Sequence, residues 1–188
     1  AKSTLWSIPG LRWLLNAAEA VPIVRRKDAP EKNSEENDRI FQKISEHLGS
    51  GGNILIFPEG TSHNEPHLVP LRTGAARMLA KAHVEAQRPI TFQAVGLEFD
   101  ARDTFRSNVL VLFGPVRNVA DFAAGETQAS AITEAIKNDL SSLLIEAPSW
   151  ETRIALAHVA EMFFNDNKEA TLLDRHNIGQ EASRLRAM

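Results

Sequence analysis

Within six residues, Pro58-Glu59-Gly60-Thr61-Ser62-His63 gathers a carboxylate, a glycine, two hydroxyls and an imidazole. The residues before it, Ile54 to Phe57, form an unbroken apolar run of the kind buried on both faces of a parallel sheet. Pro58 has no N–H to donate and ends the ladder. Polar groups at the C-terminal end of such a strand sit where open α/β sheets bind ligands. The same residues also suit an ordinary strand-to-loop turn with a solvated carboxylate. Ser62 beside His63 suggests a nucleophile and its base, but no G-x-S-x-G elbow presents the serine, and neighbours on extended chain face opposite ways. Upstream, Arg25, Arg26 and Lys27 stand in a row. Three adjacent cations could cradle a phosphate, but taken alone they read as a solvated loop.

Composition narrows the classes. The net charge is -3, against the basic excess that a phosphate backbone demands, so no nucleic acid partner is expected. The chain has no cysteine, which removes disulfides, thiolate metal sites and a cysteine acyl-enzyme together. Hydrophobic content of 43% and charged content of 24% are globular values for 188 residues. No apolar run approaches the roughly 20 residues that cross a bilayer. The chain opens Ala-Lys-Ser and reads as cut from something longer. P-loop, dinucleotide-binding and H-E-x-x-H patterns are all missing, and no metal site is expected.

The elements that would position these groups follow from periodicity. Leu11 to Ala20 reads as a short helix; its Trp13, like Trp6 before it, fits either core packing or a membrane interface. Val21 to Val24 reads as a short strand. Asn33 or Ser34 caps a helix running to about Leu48, with Ile40, Phe41, Ile44 and Leu48 on one face, and Gly49 to Gly52 ends it. Thr73 to Ala86 is an alanine-rich helix, Ile90 to Phe99 a strand, and Val109 to Phe113 a strand closed by Gly114-Pro115. From about Gly125 the pattern is helical only: a helix through Ile132, Ile136 and Leu140, a second from Trp150 capped by Ser149, and a weaker third through Leu172 and Leu185. The expected fold is α/β, a mainly parallel central sheet flanked by helices, over residues 1–124, with a helical C-terminal segment over 125–188.

FPEGTS resembles the F-P-E-G-T-R-S block of the lysophospholipid and glycerophosphate acyltransferase family. The likeness continues through LVPLRTGAARMLA, where a basic residue precedes a Gly-Ala-Ala helix start, and through VPIVR upstream, similar to an Ile-Pro-Val-x-Arg pattern with Arg25 at the matching place. ITFQAVGLEFD stands where the family has a further block, with Ala94 in place of the usual Pro. Ser62, His63 and Pro66 resemble the branch that acylates glycerol 3-phosphate or dihydroxyacetone phosphate. The likeness covers about residues 1–115.

That resemblance implies a glycerophospholipid-synthesis O-acyltransferase, moving a fatty acyl group from acyl-CoA or acyl-carrier protein to glycerol 3-phosphate, dihydroxyacetone phosphate or a lysophosphatidate, with no other cofactor. It implies substrate binding by Arg25, Glu59, Gly60, Thr61, Ser62 and Arg72, with Glu59 in a supporting catalytic role. The family's base is the histidine of an H-x-x-x-x-D block, and none of the six histidines here has Asp five residues on, so the dyad is expected upstream of Ala1. The family arginine after Thr61 is Ser62, which leaves Arg25 and Arg72 as phosphate ligands. The resemblance also implies work at the cytoplasmic side of a membrane surface, peripheral or anchored through segments outside this chain. Without the dyad, a lipid- or acyl-binding module that keeps the fold is the competing expectation.

Overall fold

Amphipathic periodicity decides most of the elements. The computed structural model describes residues 7–8, 10–17, 20, 33–99, 103–163 and 171–187. Among the described residues the order is α1 (Leu11–Ala17), α2 (Asn33–Gly49), α3 (Gly74–Glu85), β1 (Thr91–Phe99), β2 (Val109–Asn118), α4 (Gln128–Leu143), α5 (Trp150–Phe163) and α6 (Leu172–Ala187). The chain divides into two compact units, Ala1–Leu55 with Lys81–Ile90, and Ile56–Ala80 with Thr91–Met188.

The class is mixed α/β, but a mainly parallel sheet does not form among the described residues. The sheet there is two-stranded and antiparallel, β1 against β2. The expected buried strand Ile54–Phe57 has no ladder partner among the described residues, and its side chains are exposed, from 36% at Ile54 to 80% at Leu55. An apolar run shows that a segment can be buried, whereas a strand also needs a neighbour to pair its N–H and C=O groups. The strand expected at Val21–Val24 lies outside the described residues.

In the first unit, α2 buries Ile44 and half-buries Ile40, Phe41 and Leu48, the stripe its sequence shows. Its end is a Schellman arrangement: the Gly52 N–H reaches the His47 carbonyl at 2.8 Å and the Gly51 N–H the Leu48 carbonyl at 3.0 Å, with Gly51 at φ +98°. The core-packing reading of the tryptophan in α1 is overturned. That helix buries no residue, and Trp13 is 75% exposed, because seven residues give too short a face to bury a stripe.

In the second unit, α4 covers one face of the hairpin. A Cβ added at Gly96 would stand 3.1 Å from Leu143 Cβ, so the missing side chain is what lets α4 approach. Ile132 and Leu140 are buried beneath it. The opposite face of the hairpin, with Leu97, Phe99, Val111 and Phe113, is exposed. Strand β2 does not close at Gly114-Pro115 but runs on to Asn118. Gln93 pairs Val116 and Val95 pairs Phe113, so Gly114 and Pro115 together oppose Ala94 in a bulge. A bulge leaves one residue out of the ladder, which suits a proline without an N–H. Arg117 of β2 holds Asp139 of α4 through two bonds of 2.6 Å each.

Helices α5 and α6 pack on each other, and each begins at a side-chain cap. Ser149 Oγ accepts the Thr152 N–H at 3.3 Å, as the sequence predicts. Thr171 and Asp174 form a reciprocal box: the Asp174 N–H donates to Thr171 Oγ1 at 3.2 Å, and the Thr171 N–H to Asp174 Oδ2 at 2.9 Å.

Candidate functional site

The loop from Pro58 to Arg72 is built around the Glu59 carboxylate. Pro58 sets a turn in which the Gly60 N–H donates to the Phe57 carbonyl at 3.2 Å, and Gly60 takes φ +66°. That left-handed conformation is cheap only for glycine. The Arg72 N–H returns to the Pro58 carbonyl at 2.8 Å, closing the loop on its own base. A Cβ at Gly60 would stand 3.1 Å from Arg72 Cγ, so the arginine stem lies across the glycine.

Inside the loop, Glu59 Oε2 accepts the Val69 N–H at 3.2 Å and the Nε2–H of His63. Nδ1 of His63 accepts the Glu65 N–H at 3.2 Å, which assigns the ring proton to Nε2. Both His63 nitrogens are therefore engaged in holding the loop, and neither is turned to Ser62 as a base. The Glu59 and His63 side chains are only 22% and 21% exposed. Through Oε2, Glu59 thus anchors the loop from within. This accords with electrostatics, since an exposed carboxylate would repel a phosphate.

The groups left facing solvent are different ones. Thr61, Ser62 and Arg72 are exposed. The Arg72 guanidinium has no ion-pair partner among the described residues, so its donors are free for an anion. Of the residues singled out in the sequence, the loop brings Glu59, Gly60, Thr61, Ser62 and Arg72 into one turn. Arg25 lies outside the described residues. No cluster of metal-ligating side chains occurs among the described residues.

The outer support of this loop comes from residues far along the chain. Trp150 Nε1–H donates to the Asn64 carbonyl at 2.6 Å, the Ala147 N–H to the Pro66 carbonyl at 3.0 Å, and the Leu68 N–H to Glu146 Oε2 at 3.3 Å. His67 Nδ1 lies 3.3 Å from the Ala147 carbonyl, as its donor. No spacing signal could reveal bonds across some eighty residues. The one available hint was a tryptophan at a helix start, since a buried or interfacial indole N–H normally finds an acceptor.

The acyltransferase family model matches residues 1–96, half of the 188-residue chain and including the whole of this loop. This chain belongs to the acyltransferase family. Glycerol-3-phosphate O-acyltransferase 2 of Saccharomyces cerevisiae is 29% identical over 137 residues, 68% of this chain and 18% of that protein. Glycerol-3-phosphate O-acyltransferase 1 of the same yeast is 28% identical over 134 residues, 66% of this chain and 18% of that protein. An uncharacterized acyltransferase of Schizosaccharomyces pombe is 26% identical over 127 residues, 62% of this chain and 18% of that protein. This acyltransferase chain therefore spans under a fifth of the length of the curated relatives it matches. No solved structure matches it.

Proposed function

We propose that this chain is the acceptor-binding part of a longer O-acyltransferase of glycerophospholipid synthesis, and that the loop Pro58–Arg72 receives the phosphorylated alcohol. The reaction moves an acyl group from a thioester, acyl-CoA or acyl-carrier protein, to glycerol 3-phosphate, dihydroxyacetone phosphate or a lysophosphatidate. The acceptor oxygen bonds to the carbonyl carbon, the carbon–sulfur bond breaks, and the hydroxyl proton passes through a base to the departing thiolate. In this reading the base is the histidine of an H-x-x-x-x-D block outside these residues, since no histidine of this chain has that spacing.

The observation that carries the reading is the combination, in an acyltransferase-family chain, of an exposed Arg72 without an ion pair among the described residues and the exposed hydroxyls of Thr61 and Ser62 around a glycine turn. Arginine binds phosphate through charge-assisted bonds, the hydroxyls donate to acceptor oxygens, and Gly60 lets a ligand reach the main chain. Arg25 is proposed as the second phosphate ligand. Glu59 supports catalysis by fixing the loop. In the complete protein we place Ile54–Phe57 in a mainly parallel sheet, where its exposed apolar side chains and open ladder groups would find neighbours. The protein is proposed to act at the cytoplasmic side of a membrane, peripheral or anchored through other segments. No helix among the described residues is long and apolar enough to cross one.

The test is acyl transfer by the complete reading frame, using radiolabelled acyl-CoA with each of the three acceptors. Phospholipid-precursor product dependent on one of them is expected. Residues 1–188 alone are expected to give none above blank, and turnover by them would show that the base lies within this chain.

A further inference from the structure

We propose that the segment Glu146–Trp150, well outside the stretch that the family model matches, is a positioning brace for the acceptor loop and so sets acceptor affinity. The proposal rests on the acceptor-site reading above. Residues 64–68 of the loop are not held in a ladder or a helix. Their main-chain groups bond instead to the connection between α4 and α5 and to the first residue of α5. The Asn64 carbonyl takes the Trp150 indole N–H, the Pro66 carbonyl takes the Ala147 N–H, and the Leu68 N–H donates to Glu146. The bond from the Val69 N–H to Glu59 comes directly after the last of these, so the brace and the internal anchor meet at adjacent residues.

Loop main-chain groups satisfied from outside, by side chains and main chain some eighty residues away, fix a geometry that local turn chemistry does not specify. The connection is itself held. Ala147 is 3% exposed, Arg153 of α5 donates to the Ile145 carbonyl at 2.9 Å, and the Ile145 N–H donates to Glu98 of β1 at 3.1 Å. Strand β1, helix α5 and the loop are thus tied through one short stretch. A held loop keeps Thr61, Ser62 and Arg72 in the arrangement that the phosphorylated acceptor meets, which lowers the ordering cost of binding it. The proposal assigns the brace to the acceptor alone, so acyl-donor use is expected to be unaffected.

The experiment uses the complete protein, with steady-state kinetics for acceptor and acyl-CoA and with amide hydrogen exchange over residues 64–69. Trp150→Phe keeps an aromatic, though smaller, ring and removes the indole N–H donor; it is expected to raise the acceptor KM about three- to tenfold, the loss of one net hydrogen bond. kcat and the acyl-CoA KM should stay within about twofold, since uniform binding alone is lost. Glu146→Ala is expected to act in the same direction, and Glu146→Gln, which keeps a carbonyl oxygen for the Leu68 N–H, to restore acceptor KM. Exchange over 64–69 should quicken in the two disruptive variants and return toward wild type with the phosphorylated acceptor bound.

A merely structural role would lower the active fraction, and hence kcat, with KM unchanged. Unchanged acceptor KM in folded Trp150→Phe and Glu146→Ala overturns the proposal, as does an acyl-CoA KM that rises in parallel. If Trp150→Phe fails to fold, the comparison of Glu146→Ala with Glu146→Gln decides by itself. Wild-type protein that acylates none of the three acceptors defeats the acceptor-site reading and this proposal's functional part with it. Exchange at 64–69 then still reports whether the brace holds the loop.

Discussion

At the residue scale, Arg72 and Gly60 carry the sharpest expectations. Arg72 is exposed and has no ion pair among the described residues, with its stem laid over Gly60. In the complete protein Arg72→Ala should raise the acceptor KM about tenfold or more, as expected for losing a charged hydrogen-bond donor of roughly 1.5–3 kcal/mol. Arg72→Lys should recover only part, because a point charge replaces a planar fork. Acceptor and acyl-CoA kinetics measured side by side check both. Gly60→Ala combines a left-handed backbone with a new Cβ 3.1 Å from Arg72 Cγ. It should cost about 1–2 kcal/mol in thermal or urea unfolding, the penalty of that conformation for an L side chain. The substitution Glu59→Gln keeps an oxygen for the Val69 N–H but removes the carboxylate that His63 serves. Loosened exchange at His63 and Glu65, with kcat reduced indirectly, is the expected result.

At the scale of elements, the helix caps decide how firmly the C-terminal segment is seated. Ser149 caps α5, whose first turn contains Glu151. A hydrogen bond with Ser149 holds the Glu151 carboxyl below its usual range, and Asp174 is lowered in the same way by Thr171. Both groups are depressed in the folded state, so their stabilisation is complete above the unfolded values of 4.5 and 3.8 and is lost as pH falls below them. Ser149→Ala should cost about 1 kcal/mol at neutral pH, the typical loss for an N-cap. It should also flatten the acid limb of a melting-temperature profile. Because Ser149 directly precedes Trp150, the same variant should loosen the acceptor loop, read as faster exchange over residues 64–69.

At the scale of the whole molecule, a part-buried charge network ties β1 to the helices of the second unit. Glu98 of β1 pairs with Arg153 of α5, and His176 of α6 lies 4.0 Å from Glu98 Oε1. His176 is 6% exposed, and burial pushes its pKa below 6.5 against the opposing pull of Glu98. A histidine depressed on folding leaves stability untouched above 6.5. Below that, the unfolded chain takes up the proton first, and stability falls until the folded pKa is passed. The melting temperature should therefore drop as pH falls below 6.5, and His176→Gln should remove the part of that drop due to this group. Glu98→Ala should destabilise by about 2–4 kcal/mol at neutral pH, because it strands Arg153 in a partly buried position.

Periodicity and local chemistry made the helices legible. Stripes such as Ile40, Ile44 and Leu48, the Ser149 cap and the glycines after α2 act within a few residues, and those interactions do not depend on the rest of the fold. The acceptor loop could be located for the same reason, since Pro58 and Gly60 write their turn into the sequence. What tertiary structure alone decided was what each residue of the loop does. Glu59 turned inward to His63 and Val69, Arg72 was left without an ion pair among the described residues, and Trp150 and Glu146 became the outer support. Tertiary structure also decided that Ile54–Phe57 has no partner strand among the described residues, where its composition suggested a buried one. Main-chain pairing and hydrogen bonds spanning some eighty residues depend on which surfaces meet, and no local pattern encodes that meeting.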